Sequence, residues 1–257
     1  MLPIFTYHAI GEHPSPVSTP VSVFEQHLNA LAKAGYSAVT VADALAFLRG
    51  EKIPASKPIL ITFDDGYESV YTRAWDRLRD YGFTATIFLI TDRVGGDNRW
   101  LGQHESIPPS PLLTWTQIEH MAAQGADFAA HTRTHPPLTL LSPARAESEI
   151  VESAYTVRER TGCDACLFCY PYGAADATIR AIAAQHFDGA VGTRLGTASR
   201  RDDPFMLPRL DSYYLSPPIL AHLEFPTTQV YWNVRDLLRR VKRLIQPDFD
   251  ASLPYNR

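Results

Sequence analysis

The chain has 257 residues, 45% hydrophobic and 20% charged, the balance of a soluble globular protein with enough apolar material for a full core. A formal net charge of −4 argues against a general nucleic-acid binder, which carries a basic excess. The three cysteines, Cys163, Cys166 and Cys169, suggest no disulfide framework, and their spacing lacks the fourth thiol of an iron–sulfur site.

The segment Met1–His8 has neither the basic start nor the apolar run of a leader. No stretch approaches the roughly 18 apolar residues that span a bilayer. The expectation is a cytoplasmic chain, or a mature fragment, forming a single catalytic domain over 1–257 with a helix and tail over 228–257.

In chain order, strand and helix signals alternate. Leu2–Tyr7 is an apolar run suited to a buried strand. Phe24, Leu28 and Leu31 recur at helical spacing, and Gly35 stops that helix. Ser37–Val41 reads as strand, Asp43–Arg49 as helix, Pro58–Phe63 as the clearest buried strand, Val70–Asp80 as helix and Thr84–Ile90 as strand. An irregular segment from Thr91 to Leu113 follows, of a length that is often functional. Thr114 or Thr116 caps a helix to about Gln124, and Asp127–Ala130 is a strand that ends at His131. Ser142-Pro143 opens a helix and Gly162 closes it. Leu167–Tyr170, Ala175–Gln185 and Gly189–Val191 read as strand, helix and strand. About seven strand–helix units argue for a parallel α/β barrel or a closed relative of one.

Near the C-terminus, Val230, Val234, Leu237, Leu238, Val241, Leu244 and Ile245 share one helical face, with Arg235, Arg239, Arg240, Lys242 and Arg243 opposite. The expectation is a closing helix packed on the barrel by its apolar face, with a solvated basic face. The alternative is peripheral contact with an anionic membrane surface or a lipid-linked substrate.

Three separated pieces carry chemistry. Thr62-Phe63-Asp64-Asp65-Gly66 stands at the C-terminal end of the strongest strand, where active sites of parallel α/β folds assemble. Adjacent aspartates leave a strand end in different directions, so one can ligate a metal while the other addresses its water. His131-Thr132-Arg133-Thr134-His135 places two imidazoles at i and i+4, one face of a helical turn. With an aspartate they make a two-histidine, one-carboxylate set. Phe168-Cys169-Tyr170-Pro171-Tyr172-Gly173 is a further strand end, where a backbone amide after the proline could face a developing oxyanion.

From about Leu2 to Leu210, these three segments, in this order and at these separations, resemble the polysaccharide deacetylase family (the NodB-homology domain, carbohydrate esterase family four). The resemblance implies a distorted (β/α) barrel of about seven parallel strands and one divalent metal, usually zinc, with cobalt or nickel as substitutes. It implies Asp64 as general base, Asp65, His131 and His135 as ligands, and the backbone amide of Tyr172 at the oxyanion. The activity implied is metal-dependent removal of an N-acetyl group from an acetylated amino-sugar glycan.

Two positions depart from the commoner family pattern. Cys169 stands where an arginine usually orients the catalytic aspartate, and Arg209 of Leu207-Pro208-Arg209-Leu210 is the expected replacement from a later strand. For the general acid, Tyr7-His8 resembles a subgroup that opens with a Tyr-His strand, which favours His8. His222 of Leu220-Ala221-His222 is the alternative, and a purely structural His8 the third reading. Trp115 is a candidate for stacking on a sugar face, or a core aromatic, and His104, in the irregular segment, could reach the site though nothing in the sequence fixes it there. Another C–N hydrolase on the same scaffold and an inactive carbohydrate-binding module are the competing functions.

Overall fold

The structure, a computed structural model, describes residues 1–245 apart from Pro14 and Ala165. Seven parallel strands close a barrel: β1 (Ile4–Tyr7), β2 (Pro58–Phe63), β3 (Thr86–Leu89), β4 (Asp127–Ala130), β5 (Leu167–Cys169), β6 (Gly189–Leu195) and β7 (Leu207–Asp211). Each pairs with the next in sequence, and β1 pairs with both β2 and β7 to close the ring. Ser37–Ala38 adds a short strand beside β2. The register of β6 against β7 shifts between Leu207 and Arg209, an irregularity of the kind that bends a strand at a barrel rim.

Around the barrel run α1 (Val21–Lys33), α2 (Val41–Arg49), α3 (Trp75–Asp80), α4 (Trp115–Ala123), α5 (Pro143–Thr161), α6 (Ala177–His186), the single turn α7 (Pro217–Leu220) and α8 (Pro226–Ile245). The predicted helix over Val70–Asp80 divides into a π-helical turn, Val70–Ala74, and α3. Thr114 caps α4 through a full capping box with Gln117, and Pro143 opens α5.

Strand periodicity sorts the side chains. On β2, Ile59, Ile61 and Phe63 pack outward with α1 and α3 residues such as Phe24, Leu28 and Leu78. Leu60 instead joins Ile4, Phe88, Ala129, Cys169, Val191 and Leu207 in a separate cluster filling the barrel interior. A third cluster seats α5 and α6 against β4, β5 and β6 through Ile150, Phe168 and Ile182. Because side chains alternate, the inward parity of Ile4 and Thr6 continues to His8, that of Leu60 and Thr62 to Asp64, and that of Ala129 to His131. Arg209 and Cys169 share the inward parity on their own strands. The fold thus aims the polar residues at one end of the barrel axis before any of them makes a contact.

The terminal helix lies the other way round from the sequence expectation. Trp232, Thr228 and Arg239 are buried, whereas Val230, Val234, Leu237, Leu238 and Val241 are 41–60% exposed. The side chains of Leu244, Ile245, Arg240 and Arg243, and the tail from residue 246, lie outside the described residues. The reversal has a hydrogen-bonding cause. Backbone groups on and after β6 need partners, and the polar side of α8 supplies them. The Leu195 amide donates to Asp236 (3.3 Å), Arg239 donates to the Thr193 carbonyl (3.3 Å), and the Thr197 hydroxyl donates to Gln229 (2.7 Å). A stripe of valines and leucines could satisfy none of these groups.

This orientation has a measurable consequence. Trp232→Ala should cost about 3–5 kcal/mol, as for a buried large aromatic, whereas Leu237→Ser should stay within about 0.5 kcal/mol. Urea unfolding of both variants decides it, and the opposite ranking would put the apolar stripe against the barrel.

Candidate active site

Asp64 and Asp65 follow β2 directly, and the Asp64 amide donates to the Tyr7 carbonyl of the neighbouring strand (2.9 Å). The chain then bends sharply. Asp65 has φ 70° and Gly66 φ 71°, and a Cβ on Gly66 would press on Leu89 at 3.0 Å, so the bend needs glycine there. Asp64 stays on the barrel axis while Asp65 turns toward the β4 end.

The segment His131–His135 is not a helical turn, which corrects the sequence expectation. It is a loop in which Thr132 (φ 67°) and His135 (φ 65°) both take left-handed conformations. Local hydrogen bonding holds this shape. The His135 amide donates to the Thr132 hydroxyl (3.0 Å), and the Arg133 and Thr134 amides donate to the buried carboxylate of Glu149 on α5 (3.0 and 2.9 Å). Glu149 was invisible as a site residue in the sequence, because nothing local links it to a loop 15 residues upstream.

The loop brings three donor atoms together. His131 Nε2 and His135 Nε2 lie 3.2 Å apart, and each sits 3.4–3.5 Å from Asp65 Oδ1. A tetrahedral ion with bonds of about 2.0–2.1 Å sets its donors roughly 3.3–3.4 Å apart, so the triangle fits a zinc-sized cation. The tautomer also fits. His131 Nδ1–H donates to the Cys169 carbonyl (2.7 Å), which leaves the Nε2 lone pair facing inward. Without a cation the electrostatics are lopsided. Burial disfavours charge on His131, but Cys169, Asp65 and Asp64 outweigh it and raise its pKa well above the usual imidazole value. Burial and the neighbouring His131 push His135 down to about 3. The His135 ring is braced by Trp100 and Tyr172, each with its centroid 4.7 Å away.

Asp64 makes a buried bidentate pair with Arg209 (Nη1–Oδ1 and Nη2–Oδ2, both 2.7 Å). The guanidinium is itself fixed by the Gly192 carbonyl (3.0 Å), the Thr62 hydroxyl (3.2 Å) and the Cys169 sulfur (3.3 Å). Burial alone would raise the Asp64 pKa, but Arg209 reverses this and holds the carboxylate ionised far below its usual range. Arg209 thus lies against Asp64, with the Cys169 sulfur beside the guanidinium. His8 ends β1 with Nε2 3.9 Å from Asp64 Oδ2 and its side chain 24% exposed, so it can reach both the carboxylate and solvent.

These groups line one cavity of about 70 Å³. Tyr172 stands at its wall with φ 59°, and Gly173 packs so closely on β6 that a Cβ would meet the Thr193 nitrogen at 2.8 Å. Asp65, Thr132, His135 and Tyr172 are the positive-φ non-glycine residues among those described. All four belong to this site or its ligand loop, where backbone strain commonly gathers.

Three sequence candidates lie elsewhere. Trp115 does not line the cavity. As the first residue of α4 it is half-buried, with the Arg160 guanidinium over its ring at 4.6 Å. His222 is exposed and stacks on Phe225 (4.9 Å), away from the cavity wall. His104 is exposed and contacts Ser106 (2.9 Å). The irregular segment instead contributes Trp100, Gln103 and Ile107. Its length signalled a functional loop, but nothing in its composition told which residues turn inward.

The ion pair can be tested without a substrate. Arg209→Met should destabilise the chain by about 3–5 kcal/mol, because Asp64 is left as an uncompensated buried charge. The double variant Asp64→Leu/Arg209→Met should recover most of that loss in urea unfolding. A single-variant cost below about 1 kcal/mol would mean that water reaches Asp64 freely.

Comparison with known proteins bears on the family of the chain. The sequence profile of the polysaccharide deacetylase family matches residues 51–187. YxkH of Bacillus subtilis (strain 168), whose name places it among the polysaccharide deacetylases, is 32% identical over 210 residues, covering 81% of this chain and 70% of that protein. The poly-β-1,6-N-acetyl-D-glucosamine N-deacetylase of Escherichia coli (strain K12) is 28% identical over 119 residues, 45% of this chain but 18% of that protein. Among solved structures, the Streptococcus pyogenes deacetylase PplD in complex with acetate superposes with a TM-score of 0.76 at 26% identity, covering 88% of this chain and 98% of PplD. The fold, the order of its site segments and these matches converge: the chain belongs to the polysaccharide deacetylase family.

Proposed function

We propose that the chain hydrolyses the N-acetyl group of an N-acetylhexosamine unit in a glycan, releasing acetate and a free amine, with one divalent cation, zinc first among candidates. The observation that carries this reading is the triangle of Asp65 Oδ1, His131 Nε2 and His135 Nε2 beside an ionised aspartate. A structural cation site has no need of that second carboxylate.

In this reading Asp64 accepts the proton of the attacking water. Arg209 keeps it ionised and oriented but lowers its basicity, so the water must already be acidic, which a bound cation supplies while polarising the acetyl carbonyl. The Tyr172 amide N–H faces the oxygen on which negative charge develops. His8, protonated, gives its proton to the departing amine. The name of the Escherichia coli relative supports a poly-N-acetylglucosamine type of substrate.

Elemental analysis and acetate release test this together. Purified protein should carry about one zinc-class ion per chain, lost in Asp65→Ala and His131→Ala, and should release acetate from N-acetylglucosamine oligomers. Asp64→Asn should retain the ion and lose activity by roughly a hundredfold or more. Protein that binds no ion after incubation with zinc, cobalt or nickel would sink the mechanism.

We also propose that α8 rests on an anionic membrane surface. No helix among the described residues is long and apolar enough to cross a membrane, so the contact would be peripheral. The outward Val230–Val241 stripe, with Arg235 and Lys242 along its flank, supports an interfacial helix. The wild type should sediment with phosphatidylglycerol vesicles and not with phosphatidylcholine alone, and Leu237→Ser/Leu238→Ser should stay in solution. Equal partition of wild type and double variant would refute the contact.

A further inference from the structure

Two buried hydrogen-bond donors in the cavity wall have no acceptor among the described residues. Trp100 is 5% exposed, and its indole Nε1 is buried without an acceptor among the described residues, as is the amide nitrogen Nε2 of Gln103. Both residues line the cavity. They lie on one turn, with the Gln103 amide donating to the Trp100 carbonyl (3.1 Å), and the Trp100 ring is fixed against the His135 imidazole at 4.7 Å. Buried donors are nearly always paired, and an unpaired one costs the full desolvation of the group. Two together in one cavity wall mark where an acceptor belongs.

The turn that carries both donors is held from behind by a chain of hydrogen bonds. Asn98, 1% exposed, accepts from the Ser110 amide through Oδ1 (2.8 Å) and donates through Nδ2 to the Pro108 carbonyl (3.1 Å). Those two backbone partners fix which end of Asn98 is the nitrogen. The same Nδ2 donates to the Tyr67 hydroxyl (3.2 Å), so the Tyr67 oxygen is an acceptor there and its own proton must go elsewhere. Asn98 and Tyr67 thus brace the turn that carries Trp100 and Gln103, and Gln103 Nε2 lies buried on that turn without an acceptor among the described residues.

We propose that Gln103 Nε2–H and Trp100 Nε1–H together bind an acceptor oxygen, a hydroxyl or ring oxygen of the sugar that carries the acetyl group, with Tyr67 and Asn98 as positioning residues behind Gln103. The inference rests on the amino-sugar reading above and deepens it: the site selects an amide attached to an oxygenated ring. A pocket built to pair with a substrate oxygen discriminates strongly against amides that lack it.

Steady-state acetate release from N-acetylglucosamine oligomers tests the pair in Gln103→Met, Gln103→Glu, Trp100→Phe and Tyr67→Phe, with metal content and thermal unfolding measured in each. Gln103→Met removes the donor at similar volume, and Gln103→Glu replaces it with an acceptor. Both should retain the wild-type ion content and lose roughly tenfold to a hundredfold in kcat/KM, mainly through KM, with Gln103→Glu the worse. Trp100→Phe keeps a ring on His135 and should lose a similar factor. Tyr67→Phe removes the acceptor of the Asn98 amide behind the turn and should raise KM by a smaller factor than Gln103→Met. An active wild type with Gln103→Met and Trp100→Phe unchanged in kcat/KM overturns the inference alone. A wild type that releases no acetate overturns the amino-sugar reading and this inference with it.

Discussion

Two buried carboxylates stand side by side at one end of the barrel, and the groups around them are arranged to compensate their charge. Asp64 is neutralised by Arg209 in a paired two-point contact. That contact exists only because the barrel closes, with β7 beside β1 and Arg209 reaching across to the end of β2. Asp65 has no such partner. Its compensation must come from the space between His131 and His135, where the protein alone can place one proton and a cation can place two charges. Charge thus separates the two carboxylates: Asp64 is paired with Arg209, while Asp65 faces the two imidazoles.

The parts of the site that chemistry dictates were legible in the sequence. Asp64, Asp65, His131 and His135 are named by residue type and spacing, and Arg209 by the need of Asp64 for a partner. Pro58–Phe63 and the caps at Thr114 and Ser142-Pro143 were legible because local chemistry alone sets them. What depends on the third dimension was not. An i, i+4 pair of histidines implies a helix only if the intervening residues take helical dihedrals, and Thr132 does not. Trp100 lies within the irregular segment and Trp115 just beyond it, and sequence cannot say which one turns inward. Periodicity revealed that α8 has an apolar face but not which face meets the barrel, since that choice was made by unpaired backbone groups on β6.

That choice gives α8 two distinct sides. Its polar side reaches the catalytic cavity through Arg239, which lines the wall and bonds the Thr193 carbonyl. Thr193 is also the residue on which Gly173 rests, so the helix and the turn carrying Tyr172 share one strand as their support. The segment bearing Trp100 and Gln103 stands in the same wall, anchored through Asn98 and Tyr67.

The left-handed residues around the cavity bear on how such a site persists through evolution. Each of Asp65, Thr132, His135 and Tyr172 holds a conformation that glycine would adopt with less strain, at an expected cost of order 1–3 kcal/mol apiece. Against a typical net stability of about 5–15 kcal/mol for a folded domain, that is a standing burden. Drift toward a merely folded protein would relieve it one substitution at a time, because every relaxation is rewarded in stability and penalised only in chemistry. A protein selected only to fold would gain by giving up these four conformations, so their gathering around one cavity points to a constraint other than folding.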